Sequence, residues 1–429
     1  MHVAFGREET HIHTLRELAL LLSLLSLLLV NLASLLPLFD SSPEILLPTP
    51  SSWILIATRP LLRWDVFHFA HIASRGYVYE YEWAFLPGSP LIMRTIFNLI
   101  CFIKSLVTGR EEQLTWEGLL LGGLLAALLC GSTTTLYQLT LHHTKSPNAA
   151  FLASLLSLLP SSPATLRLAP STEPFFTYLS YRGMLYCAHA QWLLATCCFA
   201  LASAFRSNGV ILAGFIIWGM LIEPFLTSRK VTVRNLLYSV LLTAVIFLPF
   251  VWSQYTAYLA FCTAATPAPW CSNIPPLIYG YVQAKYWNVG FLRYWTLQQL
   301  PNFVIAAPPL ALLLASSTHY LRHALLPRLR TSLSPSSKSA TKPETPFLSP
   351  FLSPSIAPHA IHALAITLML LFSAHTQIVL RLAASTPFTY WAAAWLLVEH
   401  PRWGKYWVGW SVVWGATSIV LWATFLPPA

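Results

Sequence analysis

The sequence predicts an all-α polytopic membrane protein, and three observations carry that expectation. Of 429 residues, 56% are hydrophobic and only 9% charged, with mean hydropathy +0.60, too apolar for the core of a soluble protein of this size. Long apolar runs recur along the chain, separated by short polar connections. The basic residues behind the net charge of +10 sit in those connections. That is the distribution of cytoplasmic loops under the positive-inside rule, so no nucleic-acid partner is expected.

Residues 1–14 are polar and carry Arg7, and Arg16 opens the first apolar run, which places the N-terminus in the cytoplasm. Residues 15–38 would extend about 36 Å as a helix, longer than a signal-peptide core and without a small-residue cleavage site, and read as an uncleaved signal anchor. Residues 39–116 then form a loop on the far side, the lumen of a eukaryotic secretory membrane. Pro43, Pro48, Pro50 and Pro60 keep its first third extended. From Pro90 to Val107, Leu91, Ile92, Ile96, Phe97, Ile100, Ile103 and Leu106 recur at helical spacing opposite Arg94, Asn98 and Lys104, the pattern of a helix lying in the membrane interface.

Spans are expected near 117–141, 148–169, 184–205, 208–226, 236–258, 300–321, 360–383, 386–400 and 405–427, giving about eight to ten membrane helices. Residues 117–258 thus form one transmembrane bundle, 259–299 a second luminal loop, 322–358 a basic Ser/Pro-rich cytoplasmic linker whose Phe-Leu pairs are not expected to make a core, and 360–427 the C-terminal spans. His142-His143-Thr144-Lys145, Arg229-Lys230 with Arg234, Arg322 to Lys342, and Arg402 with Lys405 should each face the cytoplasm. A conflict follows. If Ser171–Pro174 is luminal and 227–235 cytoplasmic, an odd number of crossings joins them, yet two spans are visible between. One apolar segment is therefore short, broken or re-entrant, and the prolines at 160, 163, 170 and 174 point to 160–183.

Polar residues cluster at a few places. Asp65, His68 and His71 are spaced by three, which puts them on one helical face beside Trp64. The ordinary reading is an interfacial turn facing water and headgroups. The sharper one is a general base tuned by partial burial and a histidine neighbour. The same stretch continues through Glu80 and Glu82, whose acids suit positioning or acceptor binding. No metal site is expected, because His-x-x-His is not the helical zinc pair. Glu173, ahead of Pro174, suits a helix N-terminus, itself an anion site. Arg206-Ser207-Asn208-Gly209 reads either as a cytoplasmic turn or, inside a cavity, as a phosphate clamp through Arg206 and Asn208. In the second luminal loop Cys262 and Cys271 are close enough for a disulfide in an oxidising compartment, whereas Cys101, Cys130, Cys187, Cys197 and Cys198 read as small buried hydrophobes. Lys285, Trp287, Asn288 and Arg293, among many aromatics, form either an aromatic belt or a sugar and phosphate platform. His375, Gln377 and Arg381 end a span, where ionisable groups are functional by default, although Arg381 has the reach to snorkel outward.

Taken together, these motifs resemble the family of endoplasmic-reticulum α-1,6-mannosyltransferases that add the second mannose to the GPI-anchor precursor. The resemblance lies in Trp64-Asp65 with His68-Phe69, Ile72-Ala73, Gly76-Tyr77, Glu80 and Ala84-Phe85 to Pro87, in Arg206-Ser207-Asn208-Gly209, and in Pro269-Trp270-Cys271 through Tyr286-Trp287-Asn288-Val289-Gly290-Phe291-Leu292-Arg293-Tyr294-Trp295 to Pro301-Asn302-Phe303. It implies a C-type glycosyltransferase architecture with large luminal loops, dolichyl-phosphate mannose as donor, a mannosylated glucosaminyl-phosphatidylinositol as acceptor, no obligatory cofactor, and Asp65 as catalytic base. A small membrane partner subunit is left open. The competing readings are a transferase with another acceptor, a lipid or sugar transporter, and a scaffold subunit. A transporter would carry polar residues at mid-membrane and repeated halves, whereas here the polar islands gather at one predicted face.

Overall fold

A computed structural model of the chain describes residues 2–47, 53–109, 113–333 and 349–426, and every regular element among them is helical. The chain is an all-α polytopic membrane protein. Among the described residues seven helical runs are long and apolar enough to cross a membrane: Glu8–Ala33, Gly88–Thr108, Trp116–Thr144, Ser207–Ser228, Val233–Phe261, Leu297–Ser332 and Pro354–Phe372. Between them pack Pro147–Leu156, Glu173–Ala188, Trp192–Phe205, Pro387–Glu399 and Pro401–Ala423. Leucines 20, 21, 24, 28 and 32 of the first helix are exposed, an apolar face that suits lipid rather than water. Gly88–Thr108 is amphipathic: Met93 and Phe97 are buried, while Leu91, Phe102, Ile103 and Leu106 are exposed.

Several helices depart from their expected limits. The expected span 184–205 is two helices, because Ala190 takes a left-handed conformation (φ +56°) and reverses the chain between Glu173–Ala188 and Trp192–Phe205. The expected span 148–169 ends at Leu156, and only the five-residue helix Pro163–Arg167 interrupts the irregular backbone that follows. The proline-rich break therefore occupies 157–172, whereas 173–183 is regular helix. Three helical stretches, 173–188, 192–205 and 207–228, join Glu173 to Arg229, of which Ser207–Ser228 is long and apolar enough to cross a membrane. The expected span 360–383 stops at Phe372, and 376–385 turns through short helices instead.

Two side-chain expectations are corrected. Phe351 is buried and lines a small cavity with Tyr320, Phe388 and Trp391, so this Phe-Leu pair does join the core. Its counterpart at 347–348 lies outside the described residues. Of the five cysteines outside the disulfide none is buried and Cys197 is exposed, since a helix in lipid can place a small apolar thiol on its outer face. Cys262 and Cys271 are joined by a disulfide with Cα atoms 5.5 Å apart, closing the loop that follows Val233–Phe261.

Glu173–Ala188 and Trp192–Phe205 approach so closely at Gly183 that a Cβ there would lie 2.3 Å from Phe199 Cε1. Gly183→Val should therefore overpack this pair at a cost of about 1–3 kcal/mol. Thermal unfolding of the solubilised protein, followed by tryptophan fluorescence, should show a midpoint several degrees lower. Gly214→Ala, where a Cβ meets open space, should leave the midpoint unchanged or slightly raised.

Candidate active site

The candidate site begins with an arginine that caps a helix from the far end of the chain. Buried Arg63 donates through Nε and Nη2 to the carbonyl of Ala423 at 3.1 and 3.0 Å, and through Nη1 to the carbonyl of Leu62. It thus supplies charge and donors where Pro401–Ala423 runs out of its own. Trp64 follows with φ +52° and ψ −128°, a strained conformation for any side chain but glycine. Arg63 holds it on one side, and its ring stacks on Phe425 at 5.0 Å. This kink makes Asp65 the first residue of the helix Asp65–Arg75.

From Asp65 runs a chain of alternating charges. Arg381 Nη1 donates to Asp65 Oδ2 at 3.0 Å and lies 3.5 Å from Glu173 Oε1. The same Glu173 oxygen accepts from Arg206 Nη1 at 2.8 Å, and that nitrogen also donates to Thr172 Oγ1 at 2.9 Å. Arg206 Nε completes the set on Asn208 Oδ1 at 3.3 Å. Glu173 opens the helix Glu173–Ala188 and is only 3% exposed, so it depends on these two guanidinium groups for charge compensation. Asp65 keeps 40% of its side chain exposed and is the open end of the series. Burial of its surroundings opposes ionisation, but the charge and hydrogen bond of Arg381, with His68 and Arg206 adding, hold its carboxyl below the usual carboxylate range. Asp65 is therefore ionised at neutral pH.

His68 lies one turn along the same helix, stacked on Phe85 at 4.5 Å, and burial lowers its pKa below the ordinary imidazole value. His71 is turned away: its Nδ1 bonds Glu82 Oε1, while Glu82 Oε2 accepts the backbone N–H groups of Val78 and Tyr79 at 2.8 and 2.9 Å. Glu82 is 1% exposed, a buried clamp that fixes the turn Glu80–Ala84 against the Asp65 helix. Glu80 instead faces the second loop, where its Oε2 accepts from Lys285 Nζ at 2.7 Å and from the Tyr286 hydroxyl at 2.8 Å. The bond to Glu80, followed by contacts with Tyr281 and Tyr286, holds the Lys285 ammonium above its ordinary range.

The second loop closes the opposite wall. His375 Nε2 bonds the carbonyl of Trp287 at 2.7 Å, Trp287 meets Phe85 edge-on, and His375 stacks on Tyr294 at 4.6 Å. The Tyr294 hydroxyl donates to Gln377 Oε1 and accepts from Asn302. Asn288 ends the helix Ile278–Trp287 in a left-handed conformation. Arg293 is exposed, and none of the described carboxylates pairs with it.

The structure thus joins Asp65, Glu173, Arg206 and Asn208 into one cluster. It assigns His71 and Glu82 to bracing and places Glu80 and Lys285 in a clip between loops. Arg381, open between function and snorkelling in the sequence, is the central cation; its side chain is 14% exposed and points inward. Thr172 was not singled out at all. Its only sequence signal is its place before the Glu173 helix, where the hydroxyl serves Arg206 rather than the helix end.

A family model described as Mannosyltransferase (PIG-V) matches residues 12–429. The chain belongs to this family. A Cryptococcus neoformans protein named GPI mannosyltransferase 2 is 37% identical over 431 residues, covering 94% of this chain and 95% of its own length. A human protein and a rat protein, both named GPI alpha-1,6-mannosyltransferase 2, are each 34% identical over 79% of this chain, covering 73% and 74% of their own lengths. No solved structure matches. In this PIG-V family chain the motif Trp64-Asp65 and the Arg206 turn, distant in sequence, share one ionised cluster with Arg381.

Breaking the buried Arg206–Glu173 pair from one side should cost about 3–5 kcal/mol, because the partner is left charged and desolvated. In a double-mutant cycle with Arg206→Met and Glu173→Gln, read by thermal unfolding, the double variant should be more stable than the sum of the single losses predicts.

Proposed function

We propose that this chain transfers mannose from dolichyl-phosphate mannose to the mannosylated glucosaminyl-phosphatidylinositol precursor of the GPI anchor. The linkage formed is α-1,6, the mannose is the second of the anchor, and the reaction takes place at the luminal face of the endoplasmic reticulum membrane. The names of the relatives support the acceptor and the linkage. The reading rests above all on Asp65, a half-open carboxylate held ionised by Arg381 at the mouth of a four-charge cluster.

The donor is β-linked and the product α-linked, so a single in-line displacement with inversion accounts for both. The 6-hydroxyl oxygen of the acceptor mannose forms a bond to the donor's anomeric carbon. The bond from that carbon to the phosphate oxygen breaks, and its electron pair leaves with dolichyl phosphate. Asp65 takes the hydroxyl proton. Pairing with Arg381 makes Asp65 a weak base, which suffices because the attacking hydroxyl becomes strongly acidic only as the new bond forms. The departing phosphate monoester is stable as an anion and needs no general acid. It needs positive charge, which Arg293 supplies best, since Arg206, Arg381 and Lys285 already serve carboxylates. His68, kept neutral by burial, lines the acceptor side, and the Trp287, Tyr294 and His375 wall offers aromatic faces for the sugars.

Asp65→Asn should abolish rescue of cells that lack the second GPI mannose while the protein is still expressed; a general base is typically worth about 10² to 10⁴ in rate. Full rescue would remove Asp65 from the mechanism. The lipid accumulating in cells without the gene should carry a single mannose, whereas a different intermediate would assign another acceptor. In the pH dependence, Arg381→Gln removes the cation that lowers the Asp65 pKa while burial continues to raise it. The acid limb of the rate profile should then move to higher pH, by about 1–3 units. Transfer should persist in EDTA, and its loss with restoration by Mn²⁺ would contradict the metal-independent displacement.

A further inference from the structure

Behind the ionised cluster lies a second polar feature that the transfer reaction does not use. A cavity of about 520 Å³, within the range of small-molecule sites, opens between the first helix, the Ser132–Thr144 helix, the 157–167 break and the Glu173 helix. Arg16, Arg167 and Arg182 line it, and among the described residues no Asp or Glu does. Cations at membrane depth are costly unless they pair or face a polar cavity. Among the described residues no carboxylate pairs with any of the three. Arg167 donates only to the carbonyls of Ala19 and Leu158 and to Ser23, Arg182 only to the Tyr186 hydroxyl, and Arg16 has no hydrogen-bond or ion-pair partner among the described residues.

Two further observations point to an anion. The Ser132–Thr144 helix begins at the cavity wall, and no side chain caps its first N–H groups. Thr177, 6% exposed and part of the lining, has a buried hydroxyl with no partner. The rim includes Leu20 and Leu129, which are 58% and 82% exposed on faces that suit lipid. Arg16 stands about 25 Å of helix from Ala33, at the end of the bundle away from Asp65. Tyr181, whose hydroxyl donates to the Ala384 carbonyl, and Ala384 both line the cavity, while Asp65, Arg381, Glu173 and Arg206 do not.

We infer that this cavity is an anionic-lipid site, in which a lipid-borne phosphate enters sideways past Leu20 and Leu129 and is held by Arg182, Arg16, the Ser132 helix end and Thr177. The inference does not depend on the reaction proposed above.

The test uses the full chain purified in detergent, with binding followed by thermal shift and native mass spectrometry. The probes are dioctanoyl phosphatidate, dioctanoyl phosphatidylcholine and inorganic phosphate. Phosphatidate should bind saturably and raise the unfolding midpoint, and the other two should not. Arg182→Gln and Arg16→Gln should each weaken phosphatidate about ten- to hundredfold, the loss of one charge-assisted hydrogen bond. Arg182→Lys, which keeps the charge, should retain most of the binding and guards against a variant that simply misfolds. Equal stabilisation by phosphatidylcholine, or undiminished binding in both Gln variants, would overturn the site. Binding of inorganic phosphate as tight as that of phosphatidate would overturn its assignment to a lipid.

Discussion

The structure turns on the alternating series Asp65, Arg381, Glu173 and Arg206. Each member comes from a different stretch of chain, and each is partly desolvated, so each draws its charge compensation from its neighbour. The series therefore acts as a tie. It fixes the first loop to the turn after Phe372, that turn to the start of the Glu173 helix, and that start to the end of Trp192–Phe205. Its geometry also explains why the strained Trp64 persists: with Arg63 bound to the end of the last helix and Asp65 bound to Arg381, the backbone between them is fixed from both sides.

The same series separates two carboxylates that composition alone makes equivalent. Glu173 is buried between two guanidinium groups and has no open approach. Asp65 shares one guanidinium and keeps an open side. Two acids within reach of one arginine thus differ in exposure rather than in residue type, and only the open one is accessible to a bound molecule. Around them, the Glu82 clamp and the Glu80–Lys285 clip tie the first and second loops together, and Phe85 links Trp287 to His68 on the Asp65 helix.

Much of the helical layout was legible, because hydropathy and periodicity are local properties. Gly88–Thr108 showed its two faces, and Val233–Phe261 and Ser207–Ser228 showed unbroken apolar length. The break at Ala190 was not legible. His189 and Gln191 are no stronger an interruption of that apolar run than Thr196 and Ser203, and a left-handed alanine carries no sequence signature comparable to glycine. The prolines at 160, 163 and 170 did mark irregular backbone, which ends at the start of the Glu173 helix rather than extending to 183. Phe351 was misread for a related reason: a single aromatic in a Ser/Pro-rich stretch is apolar enough to dock, and only the neighbouring helices decide whether a cavity awaits it.

What the sequence by itself determined is the class of molecule, the polar islands at helix ends, and the residues Asp65, Glu173, Arg206, Cys262 and Cys271 worth attention. These follow from side-chain solubility and from chemistry confined to a few neighbouring residues. What only the tertiary structure decided is the pairing. Arg381 meets Asp65 across 316 positions, His71 turns from the open site to Glu82, and Arg206 leaves a nominal turn for a carboxylate 33 residues earlier. An ion pair depends on distance and desolvation in three dimensions, and no local pattern encodes which of two reachable partners a long arginine side chain will take.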